Sequence, residues 1–210
     1  MRKRIQRTIS LTAIVVAVLV SPSSRAGTLV VLNKSEATAS LIDTESGAVR
    51  ATLPTGEGPH EAAVSADGRL ALVGNYGTRA APGSSLTVID IAAGKVAKTI
   101  DLGDYRRPHG LLFLPDGRRA LATAEYNRAL LEIDVEKGSV VRAVDTAAEV
   151  SHMVEVALDG TRAFVANIGS GSVSVIDLDK GTLVRTIDTG AGAEGLTAPS
   201  VSSQSLESET

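Results

Sequence analysis

Residues 107–119 read RPHGLLFLPDGRR. A proline and a histidine open a short apolar run, and an Asp-Gly pair closes it, with Asp116 seven residues after His109. Asp-Gly is turn chemistry: the carboxylate bonds nearby backbone, and glycine accepts positive φ without steric cost. The chain holds three histidines, and the other two keep the same phase. His60 stands seven before Asp67 in HEAAVSAD, and His152 stands seven before Asp159 in HMVEVALD. Another β-rich run follows each turn: LALVGN, RALATAE and RAFVAN.

A second track runs alongside. Asp43, Asp90, Asp134 and Asp177 each close an Ile-Asp pair, at separations of 47, 44 and 43 residues. Each is followed four residues later by a glycine: Gly47, Gly94, Gly138 and Gly181. The runs AVRATL, KVAKTI, SVVRAV and TLVRTI come next. Four short strands per 43–47 residues, each bounded by a turn signal, is the periodicity of a β-propeller. The expected fold is all-β: four-stranded antiparallel blades, about four of them, over residues 27–196. An ordinary sandwich has no reason to keep both tracks in phase.

The stretch AFVAN (163–167), followed by GSVSVIDLDKGTLVRTIDTG (171–190), resembles the YVTN-type repeat of bacterial seven-bladed propellers. LVGN (72–75) and VVLN (30–33) match it more loosely, and the third copy departs, with Glu125 in place of Asn in ATAE. The resemblance covers about residues 28–195. It implies strands lettered A to D from the axis outward, with each histidine starting an A strand. It also implies a range of functions: binding modules, electron-transfer partners, and enzymes such as quinoprotein-dehydrogenase-like and lactonase-like propellers. Seven blades would make this chain the N-terminal part of a longer ring. The rival is a closed four-blade ring with GLTAPSV as its last A strand. Either way an A strand is expected to begin near Glu194, ahead of a Ser-rich tail (197–210) that reads as disordered. An open arc would leave blade faces and edges uncovered and invite self-association.

In an up-and-down meander, alternate turns share an end. The A–B and C–D turns then lie at one end of the blades, and the histidines lie at the other, near the central channel. The longer B–C loops, including NYGTRAAPGSS (75–85), gather beside them, as does DYRRPH (104–109). Loops on a rigid scaffold carry function, so the candidate ligand-binding residues are His60, His109, His152, Tyr105, Arg106 and Arg107. Two readings stand for the histidines. They are the way this repeat enters its inner strand, or they bind a transition metal, Cu or Zn, through neutral imidazoles, with Met153 as a further soft donor. Three imidazoles on one arc leave the far side of the mouth wet, so metal affinity is expected to be of millimolar character. The arginine pair offers planar forks for a carboxylate or phosphate. Glu57 and Glu61 flank His60 and offer acid–base groups. No Gly-x-Ser-x-Gly elbow and no cysteine nucleophile exists. The sequence thus points to a binding or scaffold module for a small-molecule or protein partner, with no other cofactor expected. The alternative is an enzyme or metalloprotein component.

The first 26 residues stand apart. Arg2, Lys3, Arg4 and Arg7 precede the apolar run LTAIVVAVLV (11–20), and SPSSRA follows with small-x-small spacing at Ser24 and Ala26. That reads as a secretory signal cleaved near Ala26. The run is short for a membrane span, so no stable anchor is expected and the product is periplasmic or secreted. Cleavage would remove five of 21 basic residues and leave 16 against 24 acidic, a net charge of −8. Such a surface offers no footprint for nucleic acid. The absence of cysteine excludes disulfides, thiolate metal sites and covalent c-type haem.

Overall fold

The computed structural model describes residues 27–198. The expected signal segment (1–26) and nearly all of the Ser-rich tail lie outside the described residues. The first sheet has three strands, β1 (Thr28–Asn33), β2 (Thr38–Asp43) and β3 (Val49–Pro54). Three four-stranded antiparallel blades follow. They are β4 (Pro59–Val64), β5 (Leu70–Gly77), β6 (Pro82–Asp90) and β7 (Lys95–Asp101); β8 (Pro108–Phe113), β9 (Arg119–Ala124), β10 (Ala129–Asp134) and β11 (Ser139–Asp145); and β12 (Ser151–Val156), β13 (Arg162–Asn167), β14 (Ser172–Asp177) and β15 (Thr182–Asp188). Each blade pairs its strands in chain order. β1, β4, β8 and β12 pack side by side in succession, so the arc runs blade against blade. The chain is an all-β arc of propeller blades, and among the described residues its first blade has three strands.

Both sequence tracks are turns of defined geometry. After the A strand, Gly117 N–H donates to Leu114 C=O at 3.0 Å, and Asp116 Oδ1 accepts from Arg118 N–H at 2.9 Å. After the C strand, Asp134 Oδ1 accepts from Lys137 N–H at 2.8 Å, and its carbonyl accepts from Gly138 N–H at 2.8 Å. Gly117 and Gly138 have φ of 65° and 73°, the left-handed region that glycine enters freely.

The core lies between blades. One cluster joins Leu72, Leu86 and Ile100 to Ala122, Leu131 and Ile133 across the β4–β7 and β8–β11 blades. Equivalent clusters join the two flanking blade pairs. Each blade therefore buries its faces only against its neighbours, as in other repeat proteins. Leu29 and Val49 on the first blade and Val184 on the last are at least half exposed.

Two details differ from the expected layout. The long B–C loop is mostly strand: β5 and β6 extend toward each other until Gly77 faces Pro82, leaving a turn in which Thr78 N–H donates to Ala81 C=O. No strand forms at residues 189–198, where an A strand was expected. That stretch lacks the Asp-Gly turn and the B strand that would pair with it.

Candidate functional site

Each histidine occupies a bulge. Pro59 pairs with Asn75 and Ala62 with Val73, so His60 and Glu61 together oppose Gly74. The register jumps likewise between Pro108 and Leu111 and between Ser151 and Val154. A bulge inserts an extra residue and re-aims its side chain. Here it does so at the same point of three adjacent inner strands. Gly110 permits their close approach, since a Cβ there would sit 2.5 Å from the His152 carbonyl oxygen. Thr123 ties the strands: its hydroxyl donates to that carbonyl at 2.6 Å and accepts from Gly110 N–H at 2.8 Å.

The three rings consequently form one file. His60 and His109 have ring centroids 4.7 Å apart, and His109 and His152 3.7 Å apart. His60 is exposed, whereas His109 is buried at 3% exposure. Burial, and after it the neighbouring His152, push the His109 pKa down to about 4. At neutral pH His109 is uncharged, and its buried Nδ1 has no hydrogen-bond partner. The His60 pKa is also lowered, by burial and then by Lys34.

Glu125 closes the file. It is buried, with Oε1 2.7 Å from His152 Nδ1 and Oε2 accepting from the Tyr76 hydroxyl at 2.5 Å. Burial alone would raise its pKa, but the bonds from His152 and Tyr76 outweigh burial and hold it below the ordinary value. An ionised carboxylate only accepts, so His152 Nδ1 carries the proton. Burial, then the bond to Glu125, pushes the Tyr76 pKa up to about 12 and keeps it a donor. Tyr76 in turn accepts from an Arg107 guanidinium N–H at 2.8 Å. That guanidinium is stacked on the rings of Tyr76 and Tyr126, at 4.7 and 4.6 Å.

Of the residues singled out from sequence, the structure brings together His60, His109, His152 and Arg107. Arg106 turns away, and its guanidinium donates to the Gly103 carbonyl. Tyr105 packs on the apolar cluster between blades. Glu61 reaches His60 and His109, whereas Glu57 lines a neighbouring groove. Glu125 and Tyr76 were missed. By sequence Glu125 stands in the place of the Asn, but the register gives that place to Ala124, paired with Pro108 as Asn75 is with Pro59, and puts Glu125 one position later, level with Tyr76.

The groove beside the file has a volume of about 760 Å³, with Lys34, Glu36, Glu57, Tyr76, Arg79 and Arg107 among its walls. A smaller one, about 470 Å³, lies among the turns at the opposite end of the blades, near Asp67, Asp116 and Arg118. The first meets the imidazoles through Tyr76, whose ring centroid lies 5.2 Å from that of His60.

No family model and no curated protein matches the chain. Among solved structures it is similar to a chain of the hydrazine synthase of Kuenenia stuttgartiensis. Identity is 27% and the TM-score 0.68, over 78% of this chain and 46% of that one. It is also similar to a functionally unknown protein from Desulfotomaculum acetoxidans, at 16% identity and TM-score 0.68, over 79% of this chain and 54% of that one. The chain thus spans about half the length of the solved chains it resembles. The second likeness shows the fold alone.

Proposed function

We propose that the chain is an exported, YVTN-type propeller module that binds a small anionic ligand at the histidine end of its blades. The observation that carries this reading is the groove shared by Tyr76 and Arg107. Lys34, Arg79 and Arg107 line it against Glu36 and Glu57, a local cationic surplus on a chain that carries a net negative charge. Arg107 is fixed by two aromatic rings and one hydroxyl, so little of its entropy remains to be lost on binding. Its buried Nε–H lacks a partner. A ligand bearing a carboxylate or phosphate suits this donor set.

The test uses two probes, inorganic phosphate and succinate, titrated into the ¹⁵N-labelled chain. Saturable shifts of the Arg107 Nε–H resonance are expected below about 1 mM, and Arg79→Ala should weaken them. Shifts confined to the turn end, or none at all, would reject the reading.

A further inference from the structure

We infer that His109, His152 and Glu125 form a two-histidine, one-carboxylate site for a divalent transition metal. This site lies beside the anion groove and takes a different ligand, but it rests on the same reading of this end as the ligand-bearing one.

The inference stands on placement. One ligand atom from each of the three residues lies within 4.8 Å of the others. Donors bound at about 2.0–2.2 Å to one tetrahedral ion are themselves about 3–4 Å apart, so small side-chain adjustments suffice. The three come from different elements: His109 from β8, His152 from β12, and Glu125 from the 3-10 turn (Glu125–Asn127) after β9. Two bulges and one turn make them converge, and both histidine-bearing strands are locked through Thr123.

A second, independent observation is the orphan nitrogen. Buried polar atoms almost always have partners, yet Nδ1 of His109 has none while its ring is 3% exposed. A neutral imidazole nitrogen without a proton donor nearby is a lone pair awaiting an electrophile. Water or a metal ion would satisfy it. The metal is favoured by what stands around it: a carboxylate and a second imidazole, with outer groups that orient them. Tyr76 holds Oε2 of Glu125, leaving Oε1 toward the histidines, and Arg107 holds Tyr76. Such outer hydrogen bonds are what fix metal ligands in place. Imidazole and carboxylate together suit zinc and its first-row neighbours, and the absence of cysteine leaves softer sites without thiolates. His60, with its ring 4.7 Å from that of His109, borders the fourth position and the open mouth.

A neutral imidazole carries one N–H, so an ion taken at His152 Nδ1 would move that proton to Nε2.

The experiment is calorimetric titration of the purified chain with Zn²⁺ alone, at neutral pH. The expected result is one ion per chain, with micromolar or tighter affinity. Glu125→Ala and His152→Ala should each weaken binding by about 100-fold or more, because outer-shell losses alone reach that range. Tyr76→Phe keeps the ring and removes only the hydroxyl that orients Glu125, so it should cost about tenfold in a chain that still folds. Affinity no better than millimolar, or tight binding indifferent to Tyr76→Phe and His152→Ala, would overturn the site. Arg79→Ala separates the two proposals: it should weaken phosphate and leave Zn²⁺ untouched. Zn²⁺ failing while phosphate binds removes the metal site and keeps the groove, and the reverse removes the groove alone.

Discussion

Asn75 and Ala124 hold the same place in consecutive blades, paired with Pro59 and Pro108, and the polar residue of the later blade, Glu125, comes one position on, level with Tyr76. Asn75 is buried at the end of its B strand, where its amide donates to Ser85 and Thr87 on the next strand, at 2.9 and 3.1 Å, and accepts from Gly56 N–H at 3.0 Å. Asn167 likewise donates to Ser174 at 2.9 Å. In the third blade the hydroxyl-bearing positions of the C strand are Ala129 and Leu131, which face Ala124 and Ala122 of the B strand. Ala124, in the Asn place, has no polar group, and no hydroxyl faces it. Glu125 instead turns to Tyr76 and His152. One blade spends its polar residue on knitting strands, the other on building a site between blades. The loss of the Asn at Ala124 goes with the loss of both hydroxyls on the C strand, so the change is coordinated across strands.

Breaking the knitting blade should have the largest effect. Asn75→Ala leaves Thr87 and Gly56 N–H with one partner fewer and should lower stability by about 3 kcal/mol, measured by urea denaturation. Anion and metal binding at the mouth should follow only the loss of folded protein.

Acid acts on the other blade. His109 protonates near 4 when folded, against an ordinary 6.5. A depressed histidine pKa means that the unfolded chain takes up protons first as pH falls. Its contribution is complete above about pH 6.5, and it is lost progressively down to about pH 4. At full weight the shift is worth about 3 kcal/mol, and water at the open mouth should reduce this to about 2 kcal/mol. Glu125, with a pKa also held low, adds a loss in the same direction through the carboxylate range. Urea midpoints between pH 7 and pH 4 should show the slope, and His109→Gln should flatten its upper part.

Shortening the acid should also cost stability. Glu125→Asn keeps a polar side chain but unties both Tyr76 and His152. A loss of about 1–2 kcal/mol is expected by thermal unfolding. A gain would mean that the site is not what holds Glu125. The smallest effect lies far from either region. Gly117→Ala forces φ of 65° on a residue with a Cβ and should cost about 1 kcal/mol.

The contrast also marks how far the sequence could be read. Strand order and turn positions were legible because they are local: an Asp and a Gly fix each turn within four residues, and the copies repeat it. The file of histidines followed from topology once the A strands were placed. What escaped was chemistry made by neighbouring blades. Arg106 and Arg107 look alike in DYRRPH, and only a backbone φ of 56° at Arg107 separates them. Tyr76 follows an Asn and Tyr126 follows Glu125, yet their common partner lies on a different loop. The loss of the Asn in ATAE was visible as an irregularity, but only the register assigns it to Ala124 and leaves Glu125, one residue on, facing His152.

The central claim is that the inner ends of the blades form a prearranged polar file with an uncharged imidazole at its middle. Long-range ¹H–¹⁵N correlation of the histidine rings, followed from pH 7.5 to pH 3.5, tests it most directly. The account predicts that His109 stays neutral until about pH 4. It also predicts that the His152 proton at neutral pH is on Nδ1, facing Glu125. His109 titrating near 6.5 like a free imidazole, or the His152 proton resting on Nε2, would contradict it.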